Sequence, residues 1–416
     1  MAVMRMRDSG QAWIGQIPSD WKLSRIGSLY SLRNEKVSDK DYPPLSVTMK
    51  GIVPQLDSAA KTDDGDNRKL VKVGDFAINS RSDRRGSCGI SSYDGSVSLI
   101  NTVLTPRKKM NPGYYNWLFH TVAFADEFYK WGHGIVDDLW TTRWQEMKRI
   151  IVPVPALDEQ QAIASYLDEY VARIDSHLAE VHASIEEYQQ WRASIVFQAV
   201  TKGLNESESY RSSGIDVIGS IPTGWKVFKF GKVASVAANL VSPDDYQTMP
   251  QVSPENIEKD SGVLLPCKSV EEVGIISNNH LFHKGQILYS KIRPTLNKVC
   301  IAPFDGLCSA DMYPIDTELN VSFLMYAMLS WSFVEQVAAI TSNRVKMPKI
   351  NQEELSQIWI AVPGDLRTQS MIEAYLNRKC GEINAIIAEK HALLYDLEMY
   401  KRSLIYEAVT GKRKVV

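Results

Sequence analysis

The sequence predicts an α+β protein in which two globular domains, rich in β-strand, alternate with two long helices that pair as an antiparallel coiled coil. Three observations support this prediction. One uninterrupted helical pattern covers residues 157–203, a second covers residues 366–412, and the segment 9–22 returns at 213–226. The chain therefore consists of two halves of the same design, related by an internal pseudo-twofold repeat.

The first helical pattern has apolar or aromatic residues at steps of three and four, which keeps one face of a single helix apolar. These residues are Ile163, Leu167, Tyr170, Ile174, Leu178, Val181, Ile185 and Tyr188. No Pro or Gly occurs between Asp158 and Lys202, and Asp158 is the candidate N-cap. A helix over 159–200 would be roughly 63 Å long at ~1.5 Å per residue, so its apolar face needs a partner.

The second helical pattern supplies that partner, because a shift of 209 residues aligns it with the first without a gap. The shift pairs Gln160 with Gln369 and continues to the Ala-Val-Thr ends at 199–201 and 408–410. An antiparallel pair would give the two halves a pseudo-twofold axis. The alternative, two ordinary amphipathic helices in separate cores, agrees less well with their equal length.

The domain boundaries follow from these helices and from a repeated entrance motif. We place the first domain at 1–157, the first helix at 158–203, the second domain at 204–365 and the second helix at 366–416. The entrance motif, Ile-Gly-x-Ile-Pro followed by Trp, ends at Trp21 in the first half and at Trp225 in the second, and we expect its apolar residues to be buried.

The remainder of each domain diverges between the two copies. Alternating runs predict strands at 70–80 and 285–292, helical stretches follow at 114–129 and 323–340, and a strand ending in Pro closes each domain at 149–155 and 357–363. The copies agree at the entrances and helices and differ between them. This pattern indicates one duplicated scaffold that presents two different surfaces.

Composition excludes several classes of protein. No run of 18 apolar residues is present, so we expect no membrane span, and five Cys without a CxxC pattern favour a reduced, cytoplasmic protein. The chain has no P-loop, no Gly-x-Ser-x-Gly elbow and no convincing cluster of metal ligands; His280 and His283 are expected to be surface histidines in a turn. The sequence therefore favours a binding protein without a catalytic, metal or cofactor site of its own.

Basic residues cluster in the divergent domains, although the net charge of the chain is only −2. Planar guanidinium groups suit guanine edges, and positive charge suits the phosphate backbone of double-stranded DNA. The alternative is a set of solvated charged loops. The candidate DNA-binding residues are Arg81, Arg84, Arg85, Lys291, Arg293, Lys298, Arg344 and Lys346. Where the second copy has the basic segment 342–349, the first has 134–140, which carries a different charge.

This arrangement resembles the specificity subunit of type I restriction-modification systems. The resemblance rests on the two entrance motifs, the closing Val-Pro-x-Pro-x-Leu-Asp-Glu-Gln at 152–160, the long helix, and the Ala-Val-Thr-Lys-Gly-Leu end at 199–204. It covers essentially the whole chain. The second closing motif departs from the first, because Arg367-Thr368-Gln369 replaces Asp158-Glu159-Gln160.

The resemblance implies that the two globular domains are target recognition domains, each of which reads one half of a bipartite, asymmetric DNA site. It implies that the helices set the unread gap between the half-sites and that the chain is a non-catalytic subunit of a DNA adenine methyltransferase or restriction endonuclease complex.

Partners and cofactors follow from the same resemblance. It implies two modification subunits that carry S-adenosylmethionine, and it leaves open whether restriction subunits, which use ATP and Mg²⁺, also join. From the pseudo-twofold symmetry we expect these partners to contact the outer faces of the helices, at His182, Trp191, His391 and Tyr400. The alternative function is a protein-interaction scaffold that binds no nucleic acid.

Overall fold

The computed structural model describes residues 5–55, 65–81, 85–134, 140–205, 207–344 and 346–415. The chain forms two compact units, one comprising Met1–His182 with Ala392–Val416 and the other comprising Ala183–His391. Each unit therefore combines one globular domain with a part of each long helix.

The first unit contains thirteen described strands, four short helices and the first half of a long helix. The strands are β1 Met6–Asp8, β2 Gln16–Pro18, β3 Lys22–Arg25, β4 Tyr30–Arg33, β5 Lys36–Val37, β6 Leu45–Thr48, β7 Gly51–Pro54, β8 Arg68–Val71, β9 Phe76–Asn79, β10 Cys88–Ile90, β11 Gly95–Val97, β12 Asn101–Pro106 and β13 Ile151–Val154. The helices are α1 Ile26–Leu29, α2 Pro112–Phe119, α3 Val122–Lys130, α4 Trp144–Met147 and the long α5 Leu157–Lys202.

The second unit contains twelve described strands, four short α-helices and the first part of a second long helix. Its strands are β14 Tyr210–Ser212, β15 Ser220–Pro222, β16 Lys226–Lys229, β17 Ala234–Val236, β18 Leu240–Val241, β19 Gln251–Val252, β20 Asn279–Phe282, β21 Ile287–Ser290, β22 Val299–Ile301, β23 Gly306–Cys308, β24 Met312–Thr317 and β25 Trp359–Val362. Its helices are α6 Val270–Val273, α7 Val321–Leu329, α8 Trp331–Thr341, α9 Gln352–Ser356 and the long α10 Leu366–Val409.

The two units have matching sheets although their sequences diverge. The main sheet has the order β10-β9-β12-β4 in the first unit and β22-β21-β24-β17 in the second, which is the same order of equivalent strands. A second sheet, β11-β8-β5, corresponds to β23-β20-β18, to which β19 adds a parallel edge. The closing strand pairs with the strand after the entrance motif in both units, as β13 with β3 and β25 with β16.

The two long helices run antiparallel within each unit. In the first unit Asp175 pairs with Lys401, and Tyr166, earlier in α5, lies beside Arg413, later in the chain. In the second unit the Tyr188 ring lies 5.4 Å from the Lys390 ammonium, and Arg192, later in α5, bonds to Asn384, earlier in α10. Rising residue numbers in one helix thus face falling numbers in the other.

The starts of the two long helices differ. The first begins at Leu157, so Asp158 lies in its first turn and the prediction that Asp158 is the N-cap is wrong. The second begins at Leu366, and the Asp365 carboxylate accepts a hydrogen bond from the Thr368 amide at 2.8 Å. Its hydrogen bonds to the Thr368 backbone and side chain lower the pKa of Asp365. The second closing motif differs in sequence from the first, and it supplies an N-cap of its own, the Asp365 side chain.

The end of each long helix packs against an entrance motif of the same unit. In the first unit the Tyr406 hydroxyl and the Lys412 ammonium donate to the Ile14 carbonyl, at 2.9 and 2.6 Å. In the second unit Lys202 donates to the Ser220 carbonyl, and Gly203 lies against the Trp225 ring. The apolar entrance residues are buried as predicted, since Ile14 and Ile221 are fully inaccessible.

One buried glutamine joins each long helix to a short helix of its domain, α2 in the first unit and α7 in the second. The Gln160 side-chain Oε1 accepts a hydrogen bond from the Asn111 backbone amide at 2.9 Å, and the Gln369 Oε1 accepts one from the Asn320 backbone amide at the same distance. Asn111 and Asn320 in turn cap α2 and α7 with their side chains. The repeat that aligned Gln160 with Gln369 thus marks a shared packing contact.

The stretches predicted to be helical at 114–129 and 323–340 are helical apart from one short break in each. The break divides them into α2 with α3 and α7 with α8, and a hydroxyl side chain at the break, Thr121 or Ser330, bonds back to a carbonyl three residues earlier. One prediction about a side chain is wrong. His280 does not lie in a surface turn; it lies in strand β20 and is 5% exposed.

Candidate nucleic-acid interface

Two loops meet at the end of the main sheet in each unit, and we call each pair a platform. The first platform comprises residues 80–87, which follow β9, and residues 132–143, which precede α4; of these, 82–84 and 135–139 lie outside the described residues. The second platform comprises residues 291–298, which follow β21, and residues 342–351, which precede α9; residue 345 lies outside the described residues.

The two platforms share one main-chain frame. In the first, the Thr142 amide donates to the Ser80 carbonyl at 2.9 Å. In the second, the Ile350 amide donates to the Lys291 carbonyl at 3.0 Å. An isolated β-bridge joins the two loops at the neighbouring residues, Arg81 with Thr141 and Ile292 with Lys349.

The bases of the loops are closed in the same way. The Asn79 amide donates to the Ser87 carbonyl at 2.9 Å, and the Ser290 amide donates to the Lys298 carbonyl at 2.9 Å. The loops differ in sequence, yet their amides and carbonyls meet at equivalent positions. The scaffold thus holds two dissimilar sets of side chains on one geometry.

In the first platform, Arg81 and Arg85 have different surroundings. Arg81 is exposed, and its backbone amide donates a hydrogen bond to the Asn79 side-chain oxygen at 3.0 Å. Arg85 forms an ion pair with Asp126 of α3, and its guanidinium lies 4.7 Å from the centre of the Tyr129 ring. Arg85 therefore fastens its loop to α3. Arg84, the third predicted residue here, lies outside the described residues.

Aromatic rings extend the first platform. Tyr129 stacks on Trp140, with ring centres 5.5 Å apart and planes 28° apart, and the Trp140 indole donates to the Tyr129 carbonyl at 2.9 Å. His133 is exposed and lies 3.7 Å from Glu146. Sequence reasoning missed these residues because the signal, aromatic rings beside arginine, arises from two loops more than 40 residues apart.

In the second platform, four cations are held by other groups of the unit. Arg344 bonds to Glu354 and to the Lys349 carbonyl, and Lys349 pairs with Asp311 at 2.9 Å. The hydrogen bond between the Arg344 guanidinium and the Glu354 carboxylate raises the pKa of Arg344 and lowers the pKa of Glu354. Arg344 thus joins the loop to α9, as Arg85 joins its own loop to α3.

The other two held cations lie deeper. The half-buried Lys298 donates to the Pro254 carbonyl at 2.6 Å, and the Lys291 ammonium lies 5.2 Å from the centre of the Tyr313 ring. Burial lowers the pKa of His280, and the positive charge of Lys291 lowers it further to a smaller extent. His280 therefore favours its neutral form within β20.

Arg293 and Lys346 complete the predicted set, and both are exposed. Among the residues that the structure describes, neither side chain has an ion-pair or hydrogen-bond partner. The structure therefore brings Lys291, Arg293, Arg344 and Lys346 to one platform and leaves two of them available to a ligand.

The predicted partner residues lie on the long helices. His182 and His391 are exposed, Trp191 is 50% exposed, and Tyr400 is 48% exposed. Beside Tyr400, within the first unit, α10 also exposes Leu393, Tyr395 and Met399. Sequence reasoning missed these three because they lie off the apolar stripe that faces α5.

Within the described ranges, no group of three or more His, Cys, Asp and Glu side chains is placed to hold a metal ion. In the same ranges, no single helix has the length and apolar composition of a membrane span, and the bent pair α7 and α8 satisfies those two criteria only jointly.

Residues 18–187 match the family described as "Type I restriction modification DNA specificity domain". The predicted resemblance to type I specificity subunits is confirmed by this match and by two relatives. The specificity subunit of the type I restriction enzyme EcoDI from Escherichia coli is 29% identical over 380 residues, which cover 84% of this chain and 79% of that protein. The putative MjaX specificity subunit of Methanocaldococcus jannaschii is 22% identical, over 97% of this chain and 96% of that protein.

The fold of this chain also resembles that of a solved structure. A chain from a structural study of complex assembly and conformational transition in a type I R-M system superposes with a TM-score of 0.71. The match covers 95% of this chain and 99% of the other at 13% sequence identity, so it concerns the fold alone. The two α+β domains and the paired long helices agree with the predicted fold class.

Proposed function

We propose that this chain is a specificity subunit that reads a bipartite, gapped site in double-stranded DNA, with one platform on each half-site. The observation that carries the proposal is the shared main-chain frame of two platforms whose side chains differ. A common frame can present loops to DNA in the same manner, whereas different side chains select different bases.

The charge distribution supports nucleic acid as the ligand. The whole chain has a net charge of −2, so its cations do not form a general basic coat. The second platform nevertheless gathers Lys291, Arg293, Arg344, Lys346 and Lys349 within two short loops. A local cluster of this kind attracts phosphates through Coulomb forces and counterion release.

The continuous helices support the proposed gap. Each of α5 and α10 contributes buried residues to both units: Ile163 and Val196 come from α5, and Leu404 and Ile372 come from α10. A continuous helix fixes the number of residues between the two ends that it serves, at ~1.5 Å per residue. We propose that this length sets the gap between half-sites.

The proposed complex follows from the similarity to type I specificity subunits. Two modification subunits would dock on the helices, at His182, Trp191, His391 and Tyr400, and would carry S-adenosylmethionine for adenine methylation in the cytoplasm. The specificity subunit itself would be non-catalytic. Restriction subunits with ATP and Mg²⁺ would join where a full nuclease forms.

A selection experiment tests the proposal. The chain, copurified with its modification subunit, is incubated with duplexes that carry a long randomised region, and the bound fraction is sequenced. Two short conserved segments separated by a fixed unread gap are expected. Enrichment of one contiguous segment, or of no sequence, would contradict the proposal.

The gap has its own test. Four residues inserted between His182 and Ala183, and four between His391 and Ala392, lengthen both helices by ~6 Å, or about two base pairs at ~3.4 Å per pair. The gap is expected to lengthen while both half-sites stay unchanged. Insertion into only one helix is the control, and it should destabilise the pair by shifting its register. An unchanged gap after the double insertion would exclude the spacer role.

A protein-interaction scaffold without DNA binding is the second candidate, favoured by the exposed Tyr395, Met399 and Tyr400 of α10. The salt dependence of binding separates the two functions. DNA recognition predicts a steep fall of log K with log salt concentration, whereas a scaffold predicts no measurable DNA complex.

A further inference from the structure

Arg293 has a backbone conformation that residues other than Gly rarely adopt. Its φ is 43° and its ψ is 55°, in the left-handed region where the side chain crowds the main chain. Pro294 follows directly, and a residue before Pro is further restricted. Gly would adopt this conformation without strain. The arginine therefore stands here at a conformational cost to the loop.

The platform fixes this conformation from both sides. The Arg293 amide donates to the Pro348 carbonyl at 2.8 Å, and its carbonyl accepts the Leu296 amide at 2.8 Å. The Asn297 side chain, at the end of the same turn, donates to the Leu329 carbonyl at 3.1 Å. The main chain that carries the guanidinium is thus immobilised before any ligand arrives.

The Arg293 guanidinium makes no polar contact with the described part of the chain. Among the described residues it has no ion-pair or hydrogen-bond partner, and it is exposed. Arg344, in the facing loop, has the opposite arrangement, because its guanidinium is bonded to Glu354 and its role is to hold the loop. A strained backbone that presents an unused side chain is typical of a preorganised contact group.

We propose that Arg293 reads a guanine in the half-site bound by the second unit, by donating two hydrogen bonds to its O6 and N7 atoms in the major groove. The planar fork of arginine matches these two acceptors, and a fixed backbone reduces the entropy lost on binding. This inference rests on the proposed function. It assigns one base-reading residue, whereas Arg344 acts as a positioning residue.

The experiment compares the selected sequences of four proteins in complex with the modification subunit: the wild type, Arg293→Gly, Arg293→Lys and Lys284→Gln. Lys284 is an exposed cation at the opposite end of β21 and serves as the matched control. In Arg293→Gly, the preference for one G·C pair is expected to fall about 10- to 100-fold, while the other half-site stays unchanged. Arg293→Lys keeps the charge but loses the fork, so the same preference should also fall.

A stability measurement separates reading from folding. Arg293→Gly relieves the strained conformation, so its melting temperature should equal or exceed that of the wild type although its discrimination is lost. Lys284→Gln should leave the selected site unchanged.

Two results would overturn the inference while leaving the proposed function intact. One is an unchanged preference in both Arg293 variants, and the other is uniform weakening for all sequences, which would identify a phosphate contact. A wild type that selects no gapped site would remove the proposed function and this inference together.

Discussion

In the first platform Thr142 donates to Ser80, and in the second Ile350 donates to Lys291, so the same hydrogen bond joins unlike residues. Around this frame the first platform places the stacked Tyr129 and Trp140, whereas the second carries a row of cations. Backbone bonds require only an amide and a carbonyl, so side chains are free to diverge. A duplicated scaffold can thus keep its geometry while its two surfaces acquire different specificities.

The two units also differ in how the chain supplies their parts. The second unit is one continuous stretch, Ala183–His391, whereas the first unit recruits Ala392–Val416 from the far end of the chain. The equivalence of the units can therefore be tested by damaging matched positions, and the expected effects decrease in the following order.

The largest effect is expected from deletion of residues 404–416. This removes Leu404, Ala408 and Val409, which are fully buried in the first unit, and the bonds of Tyr406 and Lys412 to Ile14. The loss is roughly 5 kcal/mol or more, comparable with the whole stability of a typical domain. Limited proteolysis should then digest the first domain and spare the second.

The corresponding damage to the second unit is the substitution Val200→Asp. Val200 is the aligned counterpart of Val409 and is buried in the second unit. An unpaired buried carboxylate should unfold the second unit and spare the first. Equal digestion of both units in either variant would show that they are not separate folding units.

A moderate effect is expected from Gln160→Leu and from Gln369→Leu. Each removes the buried side-chain acceptor of one partly buried backbone amide, that of Asn111 or Asn320, and should cost about 1–3 kcal/mol. Chemical denaturation should show similar losses, each confined to the unit that contains the altered residue. A loss in only one variant would break the equivalence of the two contacts.

A smaller effect, which depends on pH, is expected from Asp365→Ala. The pKa of Asp365 is lowered by its bonds to Thr368, so its stabilisation is complete above the unfolded pKa of about 4 and is lost as pH falls through the folded value. At pH 7 the melting temperature should drop by about 2–4 °C, and this difference should vanish in acid. Asp158→Ala, within the first turn of α5, is the control and should have a smaller effect.

The smallest effect is expected from Lys346→Gln in the second platform. Lys346 is exposed and has no partner among the described residues, so it is suited to a phosphate contact. The slope of log K against log salt should fall in magnitude by about 1, without a change in the selected sequence. A changed base preference would instead place Lys346 against a base edge.

Local signals predicted much of this fold. The apolar stripe placed the first helix at 158–203, and the structure has it at Leu157–Lys202. The break of each shorter helical stretch at Thr121 and Ser330 was missed, because a hydroxyl within a helical pattern does not reveal whether it will bond back and end the helix. The burial of His280 was missed because strand β20 is enclosed by partners distant in sequence.

The candidate site was predicted only in outline. Sequence identified Arg293 and Arg344 as equivalent candidates, since both are arginines in polar loops. Their different surroundings depend on Glu354 in α9 and on Pro348 in the facing loop. Similarly, Lys298 is held by the Pro254 carbonyl, 44 residues away.

The sequence by itself determined the duplication, the two long helices and the buried entrance motifs, because periodicity, spacing and large apolar residues act locally along the chain. Only the tertiary structure decided which cations are held and which are available, and that the last residues of the chain complete the first unit. Those outcomes depend on contacts between distant segments, where the partner of each group is set by the packing of the whole unit.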